Sequence, residues 1–341
     1  MGGHALSVTS VRLSRAAYGR LADTVVARLR EALPGSRVYA IESYQAKADF
    51  GDLDVLVEST GYDPLAAAQA LGAVEVVRNG TVTSIGLRMR PEVETLEGNL
   101  FQVDLIATPA EAFDFASCYF RNSDMGNLLG RIAHKLGTSL RHDGLVYHCR
   151  DGDHKFRTIV LTRDFSQALA FLGYDAPRYF EGFEDLEEIF RYVSGTAFFS
   201  RDIYLLENRN AQSRVRDRKR PTYTAFLQWC EARSDLPAFE MPADKTTWLG
   251  RIVEHFPGFA AEHEQAQHDL ARQRAAKAKF NGEWVSQLTG LQGKELGGLM
   301  RRLRDSFATA GALQAFVLEA SAADLAQWVR AQAAAGTATP G

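Results

Sequence analysis

The stretch Phe50-Gly51-Asp52-Leu53-Asp54-Val55-Leu56-Val57 places the tightest limit on what this chain can fold into. Its apolar and β-branched residues read as a strand, and alternate side chains of a strand point to opposite faces. Leu53, Val55 and Val57 therefore face a core, while Asp52 and Asp54 share the other side. Two carboxylates together on an apolar strand are costly unless a cation joins them. About 50 residues on, Phe101-Gln102-Val103-Asp104-Leu105-Ile106 again sets one aspartate in an apolar strand. Laid beside the first, this strand supplies a third carboxylate. Three hard oxygen ligands on a rigid sheet suit Mg²⁺ or Mn²⁺, and two such ions about 4 Å apart activate an attacking hydroxyl and stabilise a leaving phosphate. An Asp-x-Asp pair alone also fits a strand that keeps charge on its edge for solubility. The third aspartate and Gly51 before the pair favour the metal site.

The surrounding pattern is α+β. Residues 14–32 space Leu21, Val25 and Leu29 as a helix that stops at Pro34-Gly35. Strands are expected at Val38–Ser43 and Leu53–Glu58, a helix at Asp63–Leu71, and a final strand at Leu100–Ala107. Between them, Val74–Arg78 and Thr81–Met89 flank Asn79-Gly80, which predicts a type I′ hairpin with both turn residues at positive φ. A turn at Asp151-Gly152 and a helix at Glu184–Val193 follow, and from about 201 the pattern is helical and rich in Ala and Arg.

With 341 residues, 46% of them hydrophobic, the chain can build two or three domains with real cores, and disordered and fibrous classes are excluded. No apolar stretch approaches the roughly 20 residues of a bilayer span, and Met1–Ser10 does not read as a signal peptide. No membrane partner and a cytoplasmic location are expected. Cys118, Cys149 and Cys230 are odd in number and far apart, so they are read as small apolar residues. His148, Cys149 and His154 lack a fourth ligand at a zinc spacing, and His263 and His268 fall on different faces of a helix.

The segment Gly51–Val57 resembles the catalytic strand of the nucleotidyltransferase superfamily, and is most similar to that of the family X (polymerase β-type) DNA polymerases. Arg12-Leu13-Ser14-Arg15 and Ile41-Glu42-Ser43-Tyr44 resemble the entry to that family's palm, where an Arg and a Gly-Ser turn hold the nucleotide phosphates. Cys118–Asn127 resembles the Tyr-Phe-x-Gly-Ser segment at the palm–thumb junction. The likeness covers roughly residues 10–200. It implies that Asp52, Asp54 and Asp104 are catalytic and hold two Mg²⁺ or Mn²⁺ ions, with Asp104 on the metal that activates the primer hydroxyl. Arg12, Ser43 and the backbone near Gly51 would bind the triphosphate, Tyr119 and Phe120 the sugar, Asn127 the incoming nucleotide, and Arg131 the templating base. Two positions depart from the family: Glu42 and Asn122 each stand where it has glycine. Lys47 would take the place of a phosphate-binding Arg. Only about ten residues precede the palm, so deoxyribose-phosphate lyase activity is not expected.

Between Arg209 and Arg220 lie six basic residues and one acidic residue. Arg214, Arg216, Arg218, Lys219 and Arg220 are candidate template or DNA contacts, and further cationic clusters lie at Arg272–Lys279 and Arg301–Arg304. Phe280–Gly282 and Leu288–Leu299 are weakly similar to a helical element of tRNA nucleotidyltransferases and poly(A) polymerases, and also fit a helix-hairpin-helix or plain helix-turn-helix.

The expected architecture is a nucleotidyltransferase palm with a mixed sheet (10–113), a thumb-like subdomain (114–200), a helical basic nucleic-acid-binding domain (201–332) and a flexible tail (333–341). The expected function is transfer of a deoxynucleoside monophosphate from a dNTP to the 3′-hydroxyl of a DNA primer, by a monomer. A template-independent RNA-tailing enzyme and a non-catalytic nucleic-acid-binding protein are the alternatives.

Overall fold

A computed structural model describes residues 3–89 and 99–337. The chain divides into two compact units, one formed by Met1–His148 and Thr158–Phe259, the other by Cys149–Arg157 and Ala260–Gly341. Among the described residues, no helix is long and apolar enough to cross a membrane.

In the first unit a short strand, β1 (Leu13–Ser14), leads into α1 (Arg15–Ala32). Ser14 caps this helix by accepting from the Ala17 N–H, and the chain leaves it through Gly35 at φ +86°. There follow β2 (Val38–Ala40), β3 (Asp49–Phe50), β4 (Asp52–Glu58), α2 (Pro64–Leu71), β5 (Glu75–Asn79), β6 (Val82–Arg88) and β7 (Leu100–Thr108). Next come α3 (Phe113–Phe120), α4 (Met125–Lys135), β8 (Thr138–Arg141), β9 (Gly144–Asp151) and β10 (His154–Thr162). Six helices complete the unit: α5 (Phe165–Phe171), α6 (Ala176–Phe180), α7 (Leu186–Ser194), α8 (Ala211–Arg218), α9 (Pro221–Glu231) and α10 (Leu249–His255).

The main sheet has the order β2-β4-β7-β6-β5. β4 and β7 are parallel and the other neighbours antiparallel, so the sheet is mixed and the fold α+β. One face is covered by α1 and α2: Leu53, Val55, Val57, Val103 and Leu105 bury themselves against Val25, Leu29, Ala67 and Ala68. On the other face Leu56 packs with Ile41, Phe113 and Ala116, at the end of β4 away from Asp52. Truncating a wholly buried leucine such as Leu53 costs about 2–5 kcal/mol, so this two-sided packing fixes the register of the strand.

The β5–β6 turn differs from expectation. Asn79 pairs with Val82, which leaves Gly80 and Thr81 as the turn residues, and only Gly80 (φ +60°) is left-handed. Glycine at the first turn position and threonine at the second put the turn's left-handed residue first, which is the II′ and not the I′ arrangement.

Residues 201–259, expected in the C-terminal helical domain, belong to the first unit. Tyr204, Tyr223, Phe226 and Cys230 are wholly buried there; Tyr204 Oη donates to the Leu128 carbonyl (3.2 Å) and Tyr223 Oη to that of Tyr204 (2.6 Å).

The second unit contains α11 (Phe259–Lys279) from Ala260 onward, α12 (Gly282–Thr289), α13 (Gly293–Asp305), α14 (Ala310–Glu319) and α15 (Ala322–Thr337). Val285, Leu299, Leu303 and Val329 form its core with Trp284 and Trp328. The tip of the β9–β10 hairpin joins it through the ion pairs Arg274–Asp151 and Arg157–Asp269. The tail expected from Ala333 is instead helical as far as Thr337; residues 338–341 lie outside the described part.

Candidate active site

Asp54 and Asp104 are partners in the parallel β4–β7 register, and Asp52 faces Gln102. Alternation puts all three carboxylates on one face of two neighbouring strands. Among the described residues none of the three forms a salt bridge, and Lys47 offsets their repulsion only in part. The Asp54 carboxyl is pushed up to about 7, first by burial and then by the charges of Asp52 and Asp104. Burial also raises Asp104, against the pull of hydrogen bonds from Ser84 and Gln102. The Gln102 amide donates to both Asp104 oxygens at 3.0 Å.

Asp52 and Asp54 open onto a cleft of about 900 Å³ within the first unit. It collects most of the residues expected at the site: Arg12, Ser43, Gly51, Asp52, Asp54, Tyr119, Phe120, Asn127, Arg216, Lys219 and Arg220 all line it. They come from four places in the chain: the entry to β1, the β2–β4 connection, the α3–α4 junction and the α8–α9 corner. Asp104 is not in the lining; it stands behind Asp54 with its amide partner.

The β2–β4 connection is held in shape by backbone bonds from Gln45 to Phe183 (2.9 Å) and from Ala46 to Glu184 (2.7 Å). Arg15 braces it from below by donating to the carbonyls of Tyr44 and Lys47. Lys47 stands over the Phe50 ring at 4.5 Å, and Tyr18 stacks on that ring at 3.8 Å. Burial lowers the Lys47 ammonium while Asp52 and Asp54 pull it back up, which makes it the nearest internal counter-charge to the carboxylates. Arg12 is paired with Asp49, and Glu42 with Arg121, so the Glu42 carboxylate already has a cation.

At the α3–α4 junction Asn122 (φ +60°) and Ser123 (φ +63°) are both left-handed. Asn122 occupies the position where the resembled family has glycine, and asparagine is among the few other residues that tolerate this conformation. Ser123 Oγ lies 3.3 Å from Ser43 Oγ, which brings the two polar turns together at the cleft. Tyr119 and Phe120 meet edge to face at 5.2 Å. A Cβ on Gly126 would lie 2.5 Å from the Tyr119 carbonyl oxygen and 3.0 Å from its ring, so only glycine allows α4 this close.

One expected nucleic-acid contact is corrected by its placement, and two others stand outside the cleft. Arg131 is buried, with its Nε and Nη2 donating to the Ile203 carbonyl at 3.3 and 2.9 Å, and so holds the chain after α7 instead of facing a base. Arg214 and Arg218 are not in the lining of the cleft, and Arg214 donates to the Arg209 carbonyl at 3.0 Å. Arg216 lies on α8, while Lys219 and Arg220 follow its end and turn into α9; Arg214 and Arg218, one turn apart on α8, share another side. In the second unit Lys279 is likewise spent, donating to the Leu318 and Ala320 carbonyls at the end of α14.

Gln102, Ser84, Tyr18 and Asp124 were not anticipated at the site. Gln102 was marked by its place two residues before Asp104 on the same face; the other three become neighbours only through the fold. Among the described residues, no three His, Cys, Asp or Glu side chains are already gathered to hold a metal ion. The donors are nevertheless of the right kind, hard oxygens, and the charge of Asp52 raises both Asp54 and Asp104. No protein-family model matches the chain, and comparison with curated proteins finds no relative.

Proposed function

We propose that the chain is a polymerase β-type nucleotidyltransferase that joins a deoxynucleoside monophosphate to a DNA 3′-hydroxyl and releases pyrophosphate. One observation carries this reading: the parallel register of Asp54 and Asp104, with Asp52 on the same face, at a cleft whose other walls hold Arg12, Ser43, Tyr119, Phe120 and Asn127.

Asp52, Asp54 and Asp104 would hold two divalent ions. When bound, Mg²⁺ supplies charge neutralisation on the phosphates and a lowered pKa for the attacking hydroxyl. Arg12 and Lys47 would bind the triphosphate as fixed cations, and Ser43 would donate its hydroxyl to a phosphate oxygen. The Tyr119–Phe120 edge-to-face pair offers an apolar wall for the sugar. Arg216, Lys219 and Arg220 line the same cleft and would hold backbone phosphates of the nucleic acid. The protein's contribution is thus orientation and electrostatics, which is what in-line phosphoryl transfer requires.

Extension of a labelled primer with Mg²⁺ or Mn²⁺ tests this, comparing dNTPs with NTPs, template with none, and wild type with Asp104→Ala. Template-directed dNTP addition, lost in the variant, is expected. Template-free addition of NTPs to RNA would point to a tailing enzyme, and no incorporation on either acceptor would leave a binding protein.

A further inference from the structure

We infer that the α8–α9 corner is a phosphate-binding site whose resting occupant is the Asp124 carboxylate, an inference that rests on the phosphoryl-transfer reading of the cleft. Arg216, Lys219 and Arg220 fall within five consecutive residues and line the cleft together. Arg220 is paired with Asp124, which lies 96 residues earlier and immediately precedes α4.

The pairing is unusual for Asp124. An aspartate just before a helix ordinarily accepts from the first free N–H groups, yet its side chain makes no capping bond to α4. The carboxylate is committed to Arg220 instead. The corner does not need it for folding charge balance, because the wholly buried Asp217 is matched by Arg209 at 2.7 Å. The other matched pair at the cleft, Arg12–Asp49, joins neighbouring strands and is more exposed, with side chains 45% and 55% accessible against 32% and 28% for Arg220–Asp124.

A second observation points to a ligand. The Asn127 side-chain Nδ2 is shut off from solvent and has no hydrogen-bond partner, although Asn127 lines the same cleft. A donor left in that state costs about 1–3 kcal/mol unless a ligand oxygen meets it. A guanidinium accepts a phosphate in the same forked geometry as a carboxylate and binds the greater charge more strongly. A phosphate group arriving at Arg220 would therefore displace Asp124 from it. Exchange of one anion for another makes the site available without exposing an unpaired arginine.

Full-length protein in EDTA is titrated by calorimetry with tripolyphosphate and, separately, with a single-stranded thymidine 12-mer. Asp124→Asn, which keeps a capping side chain, is expected to tighten binding about tenfold, the size of a removed competitor at a half-exposed ion pair. Arg220→Ala should weaken binding, and Asp124→Asn should have no effect in the Arg220→Ala background. Tightening with tripolyphosphate alone assigns the site to the nucleotide, and tightening with the oligonucleotide alone assigns it to the nucleic-acid backbone. Asp124→Ser, a second cap-competent change, guards against a folding defect peculiar to the first. Unchanged or weaker binding in both variants, at wild-type melting temperature, overturns the inference; so does tightening that persists without Arg220. Primer extension reports on the nucleotidyltransferase reading separately, since extension without this coupling sinks only the Asp124 exchange, and coupling without extension sinks only the polymerase.

Discussion

Asp54 shares a strand face with Asp52 and a register position with Asp104, and its carboxyl is pushed up to about 7. An unfolded aspartate titrates near 3.9. The folded state therefore holds the proton more tightly than the unfolded one, and folding loses stability as pH rises from about 4 to about 7, with the full penalty present above that. Asp54→Asn is expected to raise the melting temperature at pH 8, and the gain should vanish near pH 4. Adding Mg²⁺ at pH 8 should stabilise the wild type and have a smaller effect on the variant, as thermal melts at both pH values will show. Gly126 bears on the opposite wall. Because its missing Cβ would strike the Tyr119 carbonyl, Gly126→Ala should cost about 1–3 kcal/mol in denaturant titration and displace Tyr119 from the cleft. A variant with wild-type stability would show that α4 has room to shift.

At the scale of elements, the β4 strand and its neighbours were legible because burial on alternate sides writes itself directly into the sequence. Leu53, Val55 and Val57 fill the face expected of them, and α1 stops where Pro34-Gly35 required. Relations between elements were less legible. Arg131 sits on α4 at a position matching a family motif, but nothing nearby in sequence announces the Ile203 carbonyl, 72 residues away, that takes both its donors. The run Arg209–Arg220 likewise reads as one cationic surface for nucleic acid, whereas Arg209 and Asp217 are a buried pair and the cleft receives Arg216, Lys219 and Arg220. Removing one member of such a pair leaves an uncompensated buried charge. Asp217→Ala is expected to destabilise the protein by about 3–5 kcal/mol, far more than Arg218→Ala on the exposed side of α8. Equal urea midpoints for the two variants would contradict this.

The whole molecule is two compact units with separate cores. Leu299→Ala, in the core of the second, should cost about 2–5 kcal/mol and broaden or split the thermal transition. The Mg²⁺-induced shift assigned to Asp54 should remain, since that residue lies in the first unit; its disappearance would mean the two cores melt as one. One property of the cleft bears on how the molecule meets its ligand. Five acidic and five basic side chains line it, and all three of its arginines are already matched to aspartates. Opposite charges this close cancel one another's field beyond a Debye length, about 8 Å at physiological salt. A polyanion approaching the cleft is therefore not drawn in from a distance, and its capture rate should stay nearly flat as ionic strength rises. Salt would act instead on how long the ligand stays.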